Sequence, residues 1–275
     1  MSSLNQLMAG ASLNDTLARV EGEIKSRPAD ADLRAAFVQL LCVAGNWTRA
    51  NTQLKSWLAL KPQAKPTVTL LEQAIAGEMQ RAAVFAGEAS PRMPGDAFSW
   101  AETLLDALRA DAAGQAEQAA ALRAIAFDAA PVNPGLINVQ HREQAATVEW
   151  LMDGDGRLGP VCELVVNGHY TWLPFAAISE LHFLPPASVT DLVWRHTRVV
   201  LIDGSEQVCQ LPVRYPFSAG AADNLLLATV TEWSPLAESE QYIGHGQKTW
   251  LSEDADYPLL MLEQLTFSAT GAQDE

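Results

Sequence analysis

Seven consecutive residues, Asp153-Gly154-Asp155-Gly156-Arg157-Leu158-Gly159, carry the spacing of two unrelated chemistries. Gly154, Gly156 and Gly159 fit G-x-G-x-x-G, which makes a dinucleotide site when it opens a helix whose free N–H groups hold the pyrophosphate. Here Pro160 and the apolar run Val161-Cys-Glu-Leu-Val-Val166 follow instead, and two carboxylates stand where phosphates would bind. Asp153 and Asp155 also match the opening of an EF-hand calcium loop. Counted from Asp153, that loop needs glycine at position 6 and glutamate at position 12, where this chain has Leu158 and Leu164. Both chemistries fail. The stretch reads as a glycine-rich turn between strands, with Gly154 and Gly156 expected at positive φ.

Other sites are equally thin. The chain has no P-loop, no H-E-x-x-H and no G-x-S-x-G, and its five histidines are scattered without ligand spacing. No cofactor and no metal is expected. Gly244-His245-Gly246 reads as a loop bend. Cys42, Cys162 and Cys209 lie far apart, as buried thiols of a reducing compartment would. Asp153, Asp155 and Glu163 remain the carboxylates through which an enzyme reading would hold a metal or a small substrate.

The elements that must position these residues come in two kinds. At 275 residues, with 48% apolar and 19% charged side chains, the composition is that of a water-soluble globular protein. The apolar stretch Ala35–Gly45 is too short to cross a bilayer, and the N-terminus lacks the basic and apolar regions of a secretory signal. A cytoplasmic protein is expected. Residues 1–147 hold 13 Lys/Arg against 15 Asp/Glu, whereas residues 148–275 hold 5 against 18. This charge step argues for two domains, 1–147 and 148–275. The acidic half repels phosphate backbones and anionic lipid, so neither nucleic acid nor membrane is an expected partner. The acid serves either solubility or a basic protein partner.

From Leu13 to Ala130 apolar residues recur at helical spacing, and Gly45, Ala50 and Pro62 return as Gly114, Ala119 and Pro131, an offset of 69 residues. That offset is about twice the 34-residue tetratricopeptide period, so tetratricopeptide-like helical pairs are expected, with a degenerate middle unit near residues 63–96. Such pairs stack to leave a groove that accepts a helix or an extended peptide. After Val148 the pattern is that of strands. Asn167-Gly168 predicts a hairpin between Val161–Val166 and His169–Phe175, and Asp203-Gly204 a second between Leu192–Ile202 and Gln207–Leu211. Further strands are expected over Ile178–Leu184, Thr229–Trp233, Gln247–Leu251 and Leu259–Phe267, with a short helix over Ala221–Leu227. The fold class is α+β: a helical domain followed by a mostly β domain.

The second half also carries a resemblance. Leu158-Gly-Pro160, Asn167-Gly168, Tyr170-x-Trp172-x-Pro174-Phe175, Asp191-Leu-Val-Trp194, Pro212-x-Arg214-Tyr215-Pro216, Thr231-Glu232-Trp233, Gly244-x-Gly246-Gln247 and Tyr257-Pro-Leu-Leu260 resemble the TagJ family, also called ImpE or SciE. These are accessory proteins of bacterial type VI secretion systems. The resemblance runs from Leu13 to about Phe267, the helical half matching by pattern more than by motif. It implies a cytoplasmic, non-enzymatic adaptor that binds the N-terminal helix of the small contractile-sheath subunit. It also implies an effect on sheath assembly or on recycling by the associated AAA+ ATPase. A chaperone-like adaptor for a secreted effector is the rival within the same system.

The family transfers no catalytic residues. From the sequence itself, Arg34, Gln39, Asn46 and Trp47 lie on or near the first helical pair and are candidates to line a groove, with repeat core as the alternative for Trp47. Tyr170, Trp172 and Phe175 are expected to share one aromatic face that packs on the other sheet or on the helical domain, with a direct partner contact as the alternative. Arg214-Tyr215 and Asp191-Trp194 are expected to form a polar lock near the domain interface, with Arg214 also a candidate partner contact.

Overall fold

The computed structural model describes Met8 and residues 10–95 and 98–268. Among the described residues, α-helices come first: α1 (Leu13–Ser26), α2 (Ala31–Val43), α3 (Trp47–Leu60), α4 (Lys65–Phe85), α5 (Ser99–Ala112) and α6 (Ala116–Ala129). Side-chain oxygens start the first three. Ser12 accepts from the Asp15 N–H, Asp30 from Asp32 and Leu33, and Asn46 from Arg49. The 69-residue echo in the sequence has a structural cause. Gly45 and Gly114 take φ of +70° and +74° in the tight turns after α2 and α5, and Ala50 and Ala119 are fully buried one turn into the following helix. Turns this short make α2/α3 and α5/α6 antiparallel neighbours. The middle unit holds the single 21-residue helix α4 in place of a pair.

Strands begin at residue 135. An eight-stranded antiparallel sheet has the order β2-β1-β13-β6-β7-β8-β4-β5. Its members are β1 (Gly135–Val139), β2 (Ala146–Val148), β4 (Val161–Val166), β5 (His169–Pro174), β6 (Ile178–Phe183), β7 (Trp194–Leu201), β8 (Glu206–Pro212) and β13 (Leu262–Phe267). Beside it lie a three-stranded sheet, β12 (Asp256–Pro258), β11 (Thr249–Leu251) and β3 (Met152–Asp153), and a hairpin of β9 (Thr231–Pro235) and β10 (Tyr242–Gly246). The short helix α7 spans Asp223–Leu226. The hairpins at Asn167-Gly168 and Asp203-Gly204 form as expected, with Asn167 at φ +49° and Gly168 at +81°.

The large sheet divides two cores. On one face Leu164, Leu173, Phe175, Leu181, Val199 and Leu211 pack with Trp250 and Tyr257. On the other face, at the β4–β5 end, Tyr170 and Trp172 pack with Val84, Trp100, Leu104 and Leu108 of α4 and α5. The expected common aromatic face is therefore corrected: the strand's period of two puts Phe175 with Leu173, opposite Tyr170 and Trp172. Gly244-His-Gly246 is corrected too. It lies in strand β10, where Tyr215 rests against Gly244 so closely that a Cβ there would overlap its ring.

Helix α4 is the seam between the halves. Gly77 sits flat on Val165 of β4, and a Cβ at that position would fall on the valine methyl groups. Gln80 donates to the Gly168 carbonyl at 3.0 Å and accepts from the Tyr170 N–H at 3.1 Å. Helix propensity alone favours alanine over glycine in mid-helix by about 1 kcal/mol. The contact reverses that sign, because a β-branched side chain in a paired strand cannot turn away. Gly77→Ala is expected to lower stability by about 1–3 kcal/mol in urea titration; a gain would show that the seam can open.

Candidate functional site, a buried ionic network and two surface clefts

The strand Val161–Val166 is apolar except for Glu163, which faces α4 with no exposed side-chain surface. A lone buried carboxylate is costly unless it is paired. Arg81 meets it with two parallel bonds, Nε to Oε1 at 2.7 Å and Nη2 to Oε2 at 2.8 Å. Lys248 reaches the same carboxylate at 2.6 Å and Asp153 Oδ2 at 2.6 Å, with the Tyr215 ring beneath its ammonium. The Tyr170 hydroxyl donates to Glu163 Oε1 at 2.5 Å and receives the Trp172 indole N–H at 2.8 Å. Glu78 accepts from Arg81 and from the Trp194 indole N–H at 3.0 Å. Asp155 holds Arg157 through two bonds and accepts from the Gly244 N–H. Arg214 donates to the Cys42 and Val43 carbonyls at the C-terminus of α2 and to Leu226 at the end of α7. Four cations and four carboxylates thus balance one another inside the protein.

The sequence's glycine-rich loop is one wall of this network. It connects β3 to β4 as a turn. The reason for its glycines is corrected, however. Gly159 is the one of the three at positive φ (+47°), and a Cβ on it would strike Phe127. Gly154 and Gly156 are small because Trp233 and Gln241 lie directly against them.

The arrangement stabilises; it does not present a reactive group. Burial disfavours the charged form of Lys248, yet Asp153 and Glu163 outweigh it and raise its pKa, so the amine keeps its proton. Burial would likewise raise Glu163, but Arg81 and Lys248 together hold it at about 2. Asp153 bears its burial with only a share of the Lys248 charge, and rises to about 6. Among the described residues, no group of three or more His, Cys, Asp or Glu side chains is placed to hold a metal ion.

These shifts set a pH dependence. Glu163 lies below its ordinary 4.5, so its stabilisation is complete above pH 4.5 and is lost as pH falls toward 2. Asp153 lies above its ordinary 3.8, so its contribution is complete below pH 3.8 and is lost as pH rises through 6. The melting temperature is expected to rise slightly from pH 7 to 5 and then drop below pH 4.5. Glu163→Gln should flatten that acid limb; an unchanged limb would remove Glu163 as its cause.

The sequence-derived binding residues fall into two groups. Tyr170, Trp172 and Arg214 are buried and bonded within the chain, and burying their large side chains helps to join the halves. The four on the first helical pair are partly or fully exposed. Arg34 bonds Gln53 at 2.6 Å, Asn46 caps α3, and Trp47 lies 5.6 Å from Trp194, centroid to centroid, with Gln39 half-buried nearby on α2. The lock between halves forms, but from Arg214 and Trp194, while Asp191 closes a local turn with Ser188. Much of the helical face expected to be an open groove is filled by the chain itself. Val193, Trp194 and Leu226 are buried among Phe37, Leu40, Leu41 and Leu54, and Phe217 covers Gly45. The sequence reading missed Glu78, Arg81, Arg157 and Lys248. A signal existed: Lys248 is the single lysine of residues 148–275.

Two surface clefts meet where the helices give way to strands. One, of about 250 Å³, is lined by Phe127, Ala130, Pro131, Val132, Trp150 and Met152, among others. The second, of about 140 Å³, is lined by Phe175, Ile178, Ile202 and Phe267 together with the polar Ser179 and Ser268, and Asn133 borders both. No member of the ionic network lines either one.

The fold and its sealed charges define a class: a helical array riveted to an antiparallel sheet, with its open features on the surface. The ImpE protein family model matches residues 145–266. The type VI secretion system accessory component TagJ of Pseudomonas aeruginosa is 37% identical over 268 residues, covering 97% of this chain and 92% of its own length. The crystal structure of protein VPA1032 from Vibrio parahaemolyticus superposes with a TM-score of 0.87 at 25% identity, over 99% of this chain and all of that one. The chain belongs to the TagJ/ImpE family of type VI secretion accessory components.

Proposed function

We propose that this protein is a non-enzymatic, cytoplasmic adaptor of a type VI secretion system. It captures the N-terminal helix of the small contractile-sheath subunit and so acts on sheath assembly or on recycling by the AAA+ ATPase. The observation that carries the reading is the division between a closed interior and an open surface. Asp153, Asp155 and Glu163, on which a metal or substrate site would depend, are already paired with Lys248, Arg157 and Arg81. The mainly apolar cleft and its mixed polar and apolar neighbour are instead on the outside, as a scaffold that binds a protein segment requires. No helix among the described residues is long and apolar enough to cross a membrane. Calorimetric titration of the sheath subunit's N-terminal helix, as a peptide, into the full chain tests the reading. One-to-one binding with a negative heat-capacity change is expected. Absence of heat, with the peptide also failing to raise the melting temperature, would refute it.

A further inference from the structure

We infer that the paired clefts at the helix–sheet junction are the docking surface, and that they fit a basic amphipathic helix. This rests on the adaptor reading above. The two clefts share Asn133, and exposed apolar side chains stand beside them. Ile125 on α6 is 60% exposed, Val132 in the connector 64% and Ile202 at the end of β7 67%, around the partly covered Phe127, Trp150 and Met152. Two depressions joined at Asn133 suit anchors at i, i+3 or i+4, and i+7, the last about 10 Å from the first along a helix.

Charge decides the partner. The segments around the clefts, residues 124–156 and 249–268, hold one cation, the exposed Arg142. They expose Asp128, Glu143, Glu149, Glu253, Asp254 and Asp256. Asp128 follows Phe127 in the cleft wall, and Glu253 accepts from the backbone N–H groups of Glu149 and Trp150. An apolar trough with an acidic border recruits apolar anchors flanked by lysine or arginine, and electrostatic attraction across such a rim speeds association. The chain's own last residues, Ala-Thr-Gly-Ala-Gln-Asp-Glu (269–275), offer neither: they hold no large apolar side chain and end on two acids. Another copy of the chain would set acid against acid.

The test uses the full chain and two fluorescent probes, the sheath-subunit helix and a model amphipathic peptide with leucines at i, i+3, i+4 and i+7 and flanking lysines. Val132→Lys and Asp128→Lys change exposed side chains, so melting temperatures should hold. Both are expected to weaken anisotropy-measured binding of each probe at least tenfold, whereas Val208→Lys, at an exposed position of β8 that lines neither cleft, leaves it unchanged. Exchanging the model peptide's lysines for glutamates should abolish binding. If the sheath helix binds but Val132→Lys binds it equally well, the clefts are not the site and the adaptor reading survives. If the sheath helix fails and the model peptide binds in a Val132-dependent way, the adaptor reading falls and the clefts stand. Failure of both probes overturns both. Self-association lost in Val132→Lys, or affinity gained on deleting residues 269–275, would assign the clefts to a second copy or to the tail and overturn the proposal.

Discussion

Replacing Arg81 with methionine is expected to cost about 3–5 kcal/mol, because it leaves the Glu163 carboxylate facing α4 with half of its charge compensation removed. Folded proteins hold only about 5–15 kcal/mol in reserve, so the variant should be marginal at physiological temperature. The loss comes from the stranded partner more than from the lost bonds. A second change, Glu163→Gln, should therefore restore much of it. The amide still accepts from Tyr170, and Lys248 keeps Asp153 at 2.6 Å. Urea denaturation of wild type, both single variants and the double forms the cycle. Additive losses in the double variant would show that Arg81 and Glu163 contribute independently, against the account of a charge-balanced unit.

A chain cut after residue 147 is expected not to fold, an effect at least as large. Glu78 and Arg81 would lose Trp194 and Glu163, and β1 would lose its pairing with β13 from Gly135–Phe267 onward. The helical face that Val193, Trp194 and Leu226 bury would meet water. The fragment should show helical content without a cooperative thermal transition, and should bind an apolar dye. Mixing it with residues 148–275 should recover the transition. A sharp, cooperative melt of the fragment alone would show that the charge step near residue 147 does mark an independent folding unit.

What the sequence made legible was local. Asn167-Gly168 and Asp203-Gly204 fix their hairpins through backbone angles that few other residues adopt, and Gly45 and Gly114 do the same for the helical turns. Strand β1 was not legible because one of its partners, β13, lies at the other end of the chain, and the loop of residues 140–145 that turns it back to β2 contains no glycine, asparagine or proline to announce it. The ionic network was hidden for the same reason: Arg81 and Glu163 are 82 residues apart, and each alone reads as an ordinary surface charge. Glu163 within a continuous apolar strand was the available hint, since burial on both faces obliges such a charge to find a partner. The groove expected near Arg34 and Trp47 required knowing where Trp194 and Phe217 would land, which only the tertiary fold supplies.

Hydrogen exchange of the full chain, with and without the intact small sheath subunit, tests the central claim most directly. Slower exchange is expected over residues 124–134 and 149–153 and around Ile202, in a protein that otherwise exchanges as it does alone. Protection concentrated on residues 34–49 would return the partner to the helical groove. An exchange pattern unaltered by saturating subunit would contradict the adaptor function itself.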